Sequence, residues 1–223
     1  MKTGGELIVE ALKANGAEQL FCVPGESYLA VLDALVDADV GVTVCRAEGG
    51  AAMMAEAWGK LTGKPGICFV TRGPGATNAS PGIHIAMQDS TPLILFIGQV
   101  QRDAREREAF QEVEYRRFFA DTAKWVAEID DARRIPEFVT RAFSVATSGR
   151  PGPVVLALPE DMLTDRVEAV AAQGWQPVET GPSPASIEKL ADLLQGAKKP
   201  FMILGGSRWD EAAVRSITRF AEK

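Results

Sequence analysis

The sequence has one histidine, three cysteines and no apolar run long enough to cross a membrane. Cys22, Cys45 and Cys68 form no C-x-x-C pair, and His84 stands alone, which argues against a Cys/His metal site. All three cysteines fall in or beside strand-like runs, where a free thiol serves as a small apolar group. Positive charge is not in excess either. Lys and Arg number 24 against 30 Asp and Glu, for a net charge of −6, so a nucleic-acid footprint is not expected. The basic cluster from Arg102 to Arg117 is interleaved with acids and reads as a self-paired, solvated surface. Met1 to Glu6 does not lead into the apolar core of a signal peptide. A reduced, cytoplasmic setting is the expectation. Two nucleotide fingerprints are also missing. Gly73-Pro-Gly75 lacks the third glycine of G-x-G-x-x-G, and no Walker lysine follows it.

What is present is an alternation of strands and helices. Amphipathic spacing predicts a helix over Glu6–Asn15 stopped by Gly16, then a strand over Gln19–Val23. Ser27 is expected to cap a helix carrying Leu29, Val31, Leu32 and Leu35. A strand over Val40–Cys45 precedes a helix from Gly49 to Thr62, closed by Gly63. Ile67–Thr71 and Leu93–Ile97 are nearly all apolar, as expected of strands buried on both faces of a parallel sheet. Between them come a Gly-rich loop, Arg72 to Asn78, and a helix from Ala79 to Gln88 with Pro81 in its first turn. Later elements are a strand over Trp125–Ile129, a helix within Asp131–Thr147 delayed by Pro136, and a strand over Val154–Leu158. The pattern predicts an α/β fold: a three-layer, doubly wound parallel sheet flanked by helices. Residues 1–165 form the first domain and 166–185 a linker. Residues 186–223 begin a second α/β unit, incomplete, with helices over Ser186–Leu194 and Trp209–Phe220 and a strand over Phe201–Leu204.

Three strand-end junctions carry the chemistry: Val23-Pro24-Gly25, Arg46-Ala47-Glu48 and Arg72 to Asn78. In a parallel sheet they gather on the carboxyl edge, where open α/β folds bind ligands. Glu48 has two readings there. It complements a helix macrodipole, or it is a buried acid kept for proton chemistry. Asn78 reads as a helix N-cap. His84, inside a helix, reads as structural.

From Leu7 to Asp161 the chain resembles the pyrimidine-binding, N-terminal domain of thiamine-diphosphate-dependent enzymes of the acetolactate synthase type. The matching stretches include Pro24-Gly25, Arg46-x-Glu48-x-Gly50-Ala51-Ala52, Ala55 to Gly59 and Thr62 to Gly66. They continue through Gly73 to Asn78, Asp89-Ser90-x-Pro92, Gly98 to Val100, Ala109 to Glu112 and Ala146 to Val154. Lys198 to Gly206 resembles the start of the family's middle domain. The resemblance implies that Glu48 bonds the aminopyrimidine ring of the cofactor and promotes its imino tautomer. The cofactor then acts as an electron sink in decarboxylation of a 2-oxo acid. Pro24, Gly25, Pro74, Asn78 and Gln111 are implied near the cofactor.

The departures are informative. Glu26 stands where the family usually has a second glycine, Val23 where it has tyrosine, and Ala47 where it has histidine beside Glu48. Glu26 either contacts a cationic or hydroxylated substrate or is only a first-turn helix acid. The family's Gly-Asp-Gly motif for Mg²⁺ and diphosphate does not occur in this sequence, so the resemblance places the metal ligands outside this chain. It implies a homodimer or homotetramer, leaves FAD open for the full-length protein, and predicts that this chain alone is inactive. The decarboxylase or carboligase reading has two alternatives: a natural subunit of a split decarboxylase, and a non-catalytic module that keeps the fold.

Overall fold

The computed structural model describes residues 1–178, 180–206 and 209–222. Its first helix, α1 (Gly4–Ala14), starts two residues before the expected Glu6 because Thr3 caps it. The Thr3 hydroxyl accepts from the Glu6 amide at 3.2 Å, and the Glu6 carboxylate accepts from the Thr3 amide at 2.6 Å. That reciprocal pair satisfies two donors the helix start would otherwise leave open. Gly16, at φ 77°, ends the element as expected.

Six parallel strands follow in the spatial order β3-β2-β4-β5-β7-β6. They are β2 (Gln19–Cys22), β3 (Gly41–Val44), β4 (Gly66–Val70), β5 (Leu93–Gln99), β6 (Trp125–Glu128) and β7 (Pro153–Pro159). Every residue of β4, β5 and β7 is buried, which is why their sequences are continuous apolar runs rather than alternating ones. Alternate residues feed two cores. Ile67 and Phe69 face a layer of α1, α2 (Leu29–Leu35) and α6 (Ile135–Thr147). Cys68 and Val70 face α3 (Glu48–Thr62), α4 (Pro74–Asp89) and α5 (Tyr115–Phe118). The result is the three-layer, doubly wound α/β fold that the pattern implied.

The helices α3 and α4 cross unusually closely because small residues meet between them. A side chain at Gly82 would place its Cβ 2.5 Å from the Ala52 Cβ. Helix α4 also departs from expectation. It begins at Pro74, so most of the predicted Gly-rich loop forms its first turns, and Pro81 lies in its interior. Pro74 at the first helical position suits a fixed φ. Pro81 cannot donate to the Thr77 carbonyl, and the Ser80 hydroxyl does so instead at 2.7 Å.

Ser27 does not cap α2. A 3-10 turn, Glu26–Tyr28, precedes that helix, and the buried Ser27 hydroxyl lies 2.8 Å from that of Thr71. Cys22 and Cys68 are buried as expected, and burial pushes both thiols up, away from the reactive thiolate. Cys45 instead sits just beyond the edge strand β3 and is half-buried.

The expected linker is held to the first unit over its opening residues. Lys2–Thr3 (β1) pairs antiparallel with Arg166–Val167 (β8). Ala169, Ala172 and Trp175 pack on the core. The Trp175 amide donates to Asn15 Oδ1 at 2.9 Å, and its indole donates to the Asn15 carbonyl at 3.2 Å. Farther on, α7 (Pro184–Gly196) and α8 (Glu211–Ala221) are capped by Ser183 and Asp210, and neither contains a buried residue. Phe201–Leu204 is not a strand; its side chains are exposed, and among the described residues no strand pairs with its backbone. Glu179 of the expected linker and Ser207, Arg208 and Lys223 of the expected second unit lie outside the described residues.

Candidate functional site

The carboxyl ends of β2, β3 and β4 bring the three junctions to one edge. Glu48 is the first residue of α3, and its carboxylate lies at the helix start, where the macrodipole favours negative charge. Asn78, in the second turn of α4, donates from Nδ2 to Glu48 Oε2 at 3.4 Å. Asn78 is therefore not an N-cap, since α4 begins at Pro74. Glu48 is half-buried in this chain, less enclosed than the sequence reading suggested.

Glycines shape the space beside it. A Cβ at Gly75 would fall 2.8 Å from the Thr71 methyl and 3.7 Å from Glu48 Oε1. A Cβ at Gly25 would fall 2.5 Å from the Thr71 Cβ. Gly25, Thr71, Gly75 and Glu48 thus form one contiguous wall. Pro24 and Pro74 are exposed at its rim. Gly73, at φ 58°, lets the loop carrying Gln111 approach, since a Cβ there would meet the Gln111 Cβ at 2.7 Å. Gln111 is itself left-handed, at φ 64°. So Glu48, Asn78, Gly25 and Gln111, far apart in sequence, neighbour the single turn Gly73–Gly75.

That turn is fixed from below. The Gly73 amide donates to the Tyr115 hydroxyl at 2.9 Å. Burial pushes Tyr115 up to about 12, and the Gly73 bond pulls weakly the other way. Arg105 holds the Gln111 loop against β6 by pairing with Glu112, Glu114 and Glu128. The expected self-pairing of the 102–117 cluster holds for Arg105 with Glu112 and Glu114, where Arg105 and Glu112 are largely buried rather than solvated, while Arg102 pairs outside the cluster with Asp161 and Asp165.

Glu26 neither points free nor serves a long helix, because its turn spans only three residues. It pairs with Arg72, which also pairs with Glu160. His84 is exposed on α4, so it is not a core histidine. Sequence reasoning placed Arg72 in a chemistry-bearing junction without a role and passed over Thr71, Tyr115 and Glu160. Thr71 and Glu160 each follow a buried strand directly, which was the signal available. Among the described residues, no group of three or more His, Cys, Asp or Glu could hold a metal ion.

A polar pair at a helix start, walled by glycines, fits the flat, nitrogen-rich end of a cofactor such as an aminopyrimidine.

Comparison with known proteins points to a family whose N-terminal domain binds such a cofactor. Residues 2–118 match the family model described as "Thiamine pyrophosphate enzyme, N-terminal TPP binding domain". The chain is 35% identical over 225 residues to "Acetolactate synthase" of Bacillus subtilis, covering 99% of this chain and 39% of that protein. It is 36% identical over 221 residues to "Acetolactate synthase isozyme 2 large subunit" of Escherichia coli, covering 97% and 40%. It is 35% identical over 227 residues to "Probable acetolactate synthase large subunit" of Methanocaldococcus jannaschii, covering 98% and 38%. The chain thus spans about two fifths of the length of these relatives. With the fold, the glycine-walled edge and these matches in agreement, the chain belongs to the thiamine pyrophosphate enzymes, as an N-terminal TPP-binding domain of the acetolactate synthase-like type.

Proposed function

We propose that this chain is the pyrimidine-binding portion of a thiamine-diphosphate-dependent 2-oxo acid decarboxylase or carboligase, and that Glu48 activates the cofactor. The observation that carries the reading is the Glu48–Asn78 pair at the start of α3, opening onto the wall of Gly25, Thr71 and Gly75. When bound, thiamine diphosphate supplies the nucleophilic carbon and the electron sink for decarboxylation.

The chain's own residues supply the rest. Glu48 exchanges a proton at Oε1 or Oε2 with the aminopyrimidine ring. The Asn78 amide fixes the rotamer of that carboxylate, so a proton leaves or arrives along a set direction. Gly25 and Gly75 let backbone lie close to a flat ring. Pro24 and Pro74 stiffen the two turns that bear it, and Gln111 closes the side toward α5.

The Mg²⁺ and diphosphate ligands belong outside these residues, on a diphosphate-binding domain of a partner chain in a homodimer or homotetramer. The exposed apolar side chains Met53 and Met54 on α3 and Ile85 on α4 support a partner surface beside the site. This chain alone is accordingly inactive. A cytoplasmic location, which suits three free thiols, goes with this reading.

The test is Glu48→Gln in the full-length protein. It keeps shape and the Asn78 contact but removes the ionisable group. Thiamine-diphosphate-dependent turnover of a 2-oxo acid should fall by about 10²–10⁴-fold with the thermal midpoint unchanged. Undiminished turnover would falsify the role of Glu48.

A further inference from the structure

Arg72 lies two residues beyond the end of β4 at the same edge, and its side chain is only 9% exposed. Two carboxylates grip it. Nη2 donates to Glu26 Oε1 at 2.9 Å, and Nη1 donates to Glu160 Oε2 at 2.9 Å. Its Nε is buried without a hydrogen-bond partner, an orphan that calls for an explanation. Glu26 follows β2 and Glu160 follows β7, so one guanidinium ties three strand ends across the sheet.

A buried arginine at strand ends invites an anion-binding reading, and the geometry opposes it. Bidentate anion binding needs two parallel donors offered to one oxyanion, whereas here each terminal nitrogen already donates to a separate carboxylate and the remaining Nε is buried. Two carboxylates against one guanidinium leave one net negative charge. That charge faces outward on Glu26, whose side chain is 75% exposed, against 35% for Glu160. Glu26 is bonded through Oε1, and among the described residues no bond engages Oε2. Its neighbour Gly25 touches Thr71, which touches Gly75 beside Glu48. The outward group is therefore a carboxylate held in place at the rim of the site. A free surface glutamate must give up rotamer freedom to bind anything, whereas one held by Arg72 has already done so.

We propose that Arg72, backed by Glu160, positions Glu26 as a specificity carboxylate, which selects a substrate whose end remote from the reacting carbonyl bears a hydroxyl or ammonium donor. This rests on the thiamine-diphosphate reading above. A second carboxylate on the substrate is repelled, and an alkyl end offers the held carboxylate no donor. Glu26 touches the substrate, and Arg72 is a positioning residue.

The experiment uses the full-length protein and a set of 2-oxo acids of equal length ending in methyl, hydroxymethyl, aminomethyl or carboxylate. kcat and KM are measured for wild type, Glu26→Gln, Arg72→Met and the double variant. Wild type should favour the hydroxyl- or ammonium-ended acid over the other two by about 10-fold or more in kcat/KM, the value of one hydrogen bond to a charged group. Glu26→Gln should collapse that ratio chiefly through KM. Arg72→Met should move it the same way, with the double variant no worse than either single one. A merely structural Arg72 would lower kcat across the set and leave the ratio alone. If Arg72→Met fails to fold, the exposed Glu26→Gln decides by itself. An active Glu26→Gln enzyme with the wild-type ratio, or a wild type that prefers the carboxylate-ended acid, overturns the proposal. Absence of thiamine-diphosphate-dependent turnover of every acid by wild type overturns the parent reading and this one together.

Discussion

Gly82→Ala sets two well-understood effects against each other. In a helix interior, alanine is favoured over glycine by about 1 kcal/mol. Gly82 lies within α4 with an ordinary negative φ, so propensity alone says the substitution stabilises. Packing says the opposite. The new Cβ would sit 2.5 Å from the Ala52 Cβ and 2.9 Å from the Ala52 carbonyl carbon. Ordinary carbon contacts need about 3.5–4 Å, so α3 and α4 must part by about 1 Å. The obstacle includes backbone, which no rotamer change relieves. Overpacking of this kind costs about 1–3 kcal/mol, and its upper half is appropriate where backbone must move. The net expectation is destabilisation by about 1–2 kcal/mol, or a fall in Tm of roughly 2–8 °C for a chain of this size. The same shift would break the Glu48–Asn78 bond, already long at 3.4 Å, so cofactor affinity should fall as well. Gly50→Ala on α3 is the control. Nothing lies within 4 Å of its Cβ position, so it should stabilise by about 0.5–1 kcal/mol. Urea and thermal unfolding of both variants read the answer. If Gly82→Ala stabilises as much as Gly50→Ala does, the close helix crossing is not a constraint and the reasoning fails.

The two tyrosines give a pH test. Burial pushes both Tyr28 and Tyr115 up, Tyr115 to about 12, so both stay protonated in the folded protein beyond the usual tyrosine range. Raised folded values mean this stabilisation is complete below the unfolded value near pH 10 and is lost as pH rises toward 12. Tyrosinate absorbance should therefore stay flat until that window and rise together with unfolding; ionisation near the ordinary value in protein that is still folded would contradict it. Asn15 gives a second test. It is 5% exposed and joins α1 to Trp175, so Asn15→Ala should leave the Trp175 amide without an acceptor and cost about 1–3 kcal/mol. Hydrogen exchange at that amide should quicken; unchanged protection would show that the 166–175 segment is held by packing alone.

The sequence carried much of this fold, and the reasons are local. Strands buried on both faces are nearly all apolar, so Ile67–Thr71, Leu93–Ile97 and Val154–Leu158 announced three strands, which run over Gly66–Val70, Leu93–Gln99 and Pro153–Pro159. Glycines with left-handed backbone marked the ends at Gly16 and Gly63. The order of short motifs around Glu48, Gly75 and Asn78 identified the family before any coordinates. Local signals failed where a distant partner changed the outcome. Ser27 has the chemistry of a cap, but Thr71 lies 2.8 Å from its hydroxyl. Pro81 reads as a helix start, but Ser80 repairs the bond it breaks. Phe201–Leu204 reads as a strand, and among the described residues no strand pairs with it.

The composition of the site at its rim was decided by tertiary structure alone. Arg72 meets Glu26 across 46 positions and Glu160 across 88, and both contacts follow from the strand order β2-β4-β5-β7. No single strand encodes its neighbours; pairing order emerges from how all the helices and strands bury their faces together. The left-handed turn at Gly73 is likewise explained only by the backbone of Gln111 lying against it and the Tyr115 hydroxyl beneath it. The sequence by itself determined the elements, the two-sided burial of the central strands and the identity of Glu48 as the acid at a strand end. The packing of three layers decided which charges share that edge, because an ion pair depends on distance in space and not along the chain.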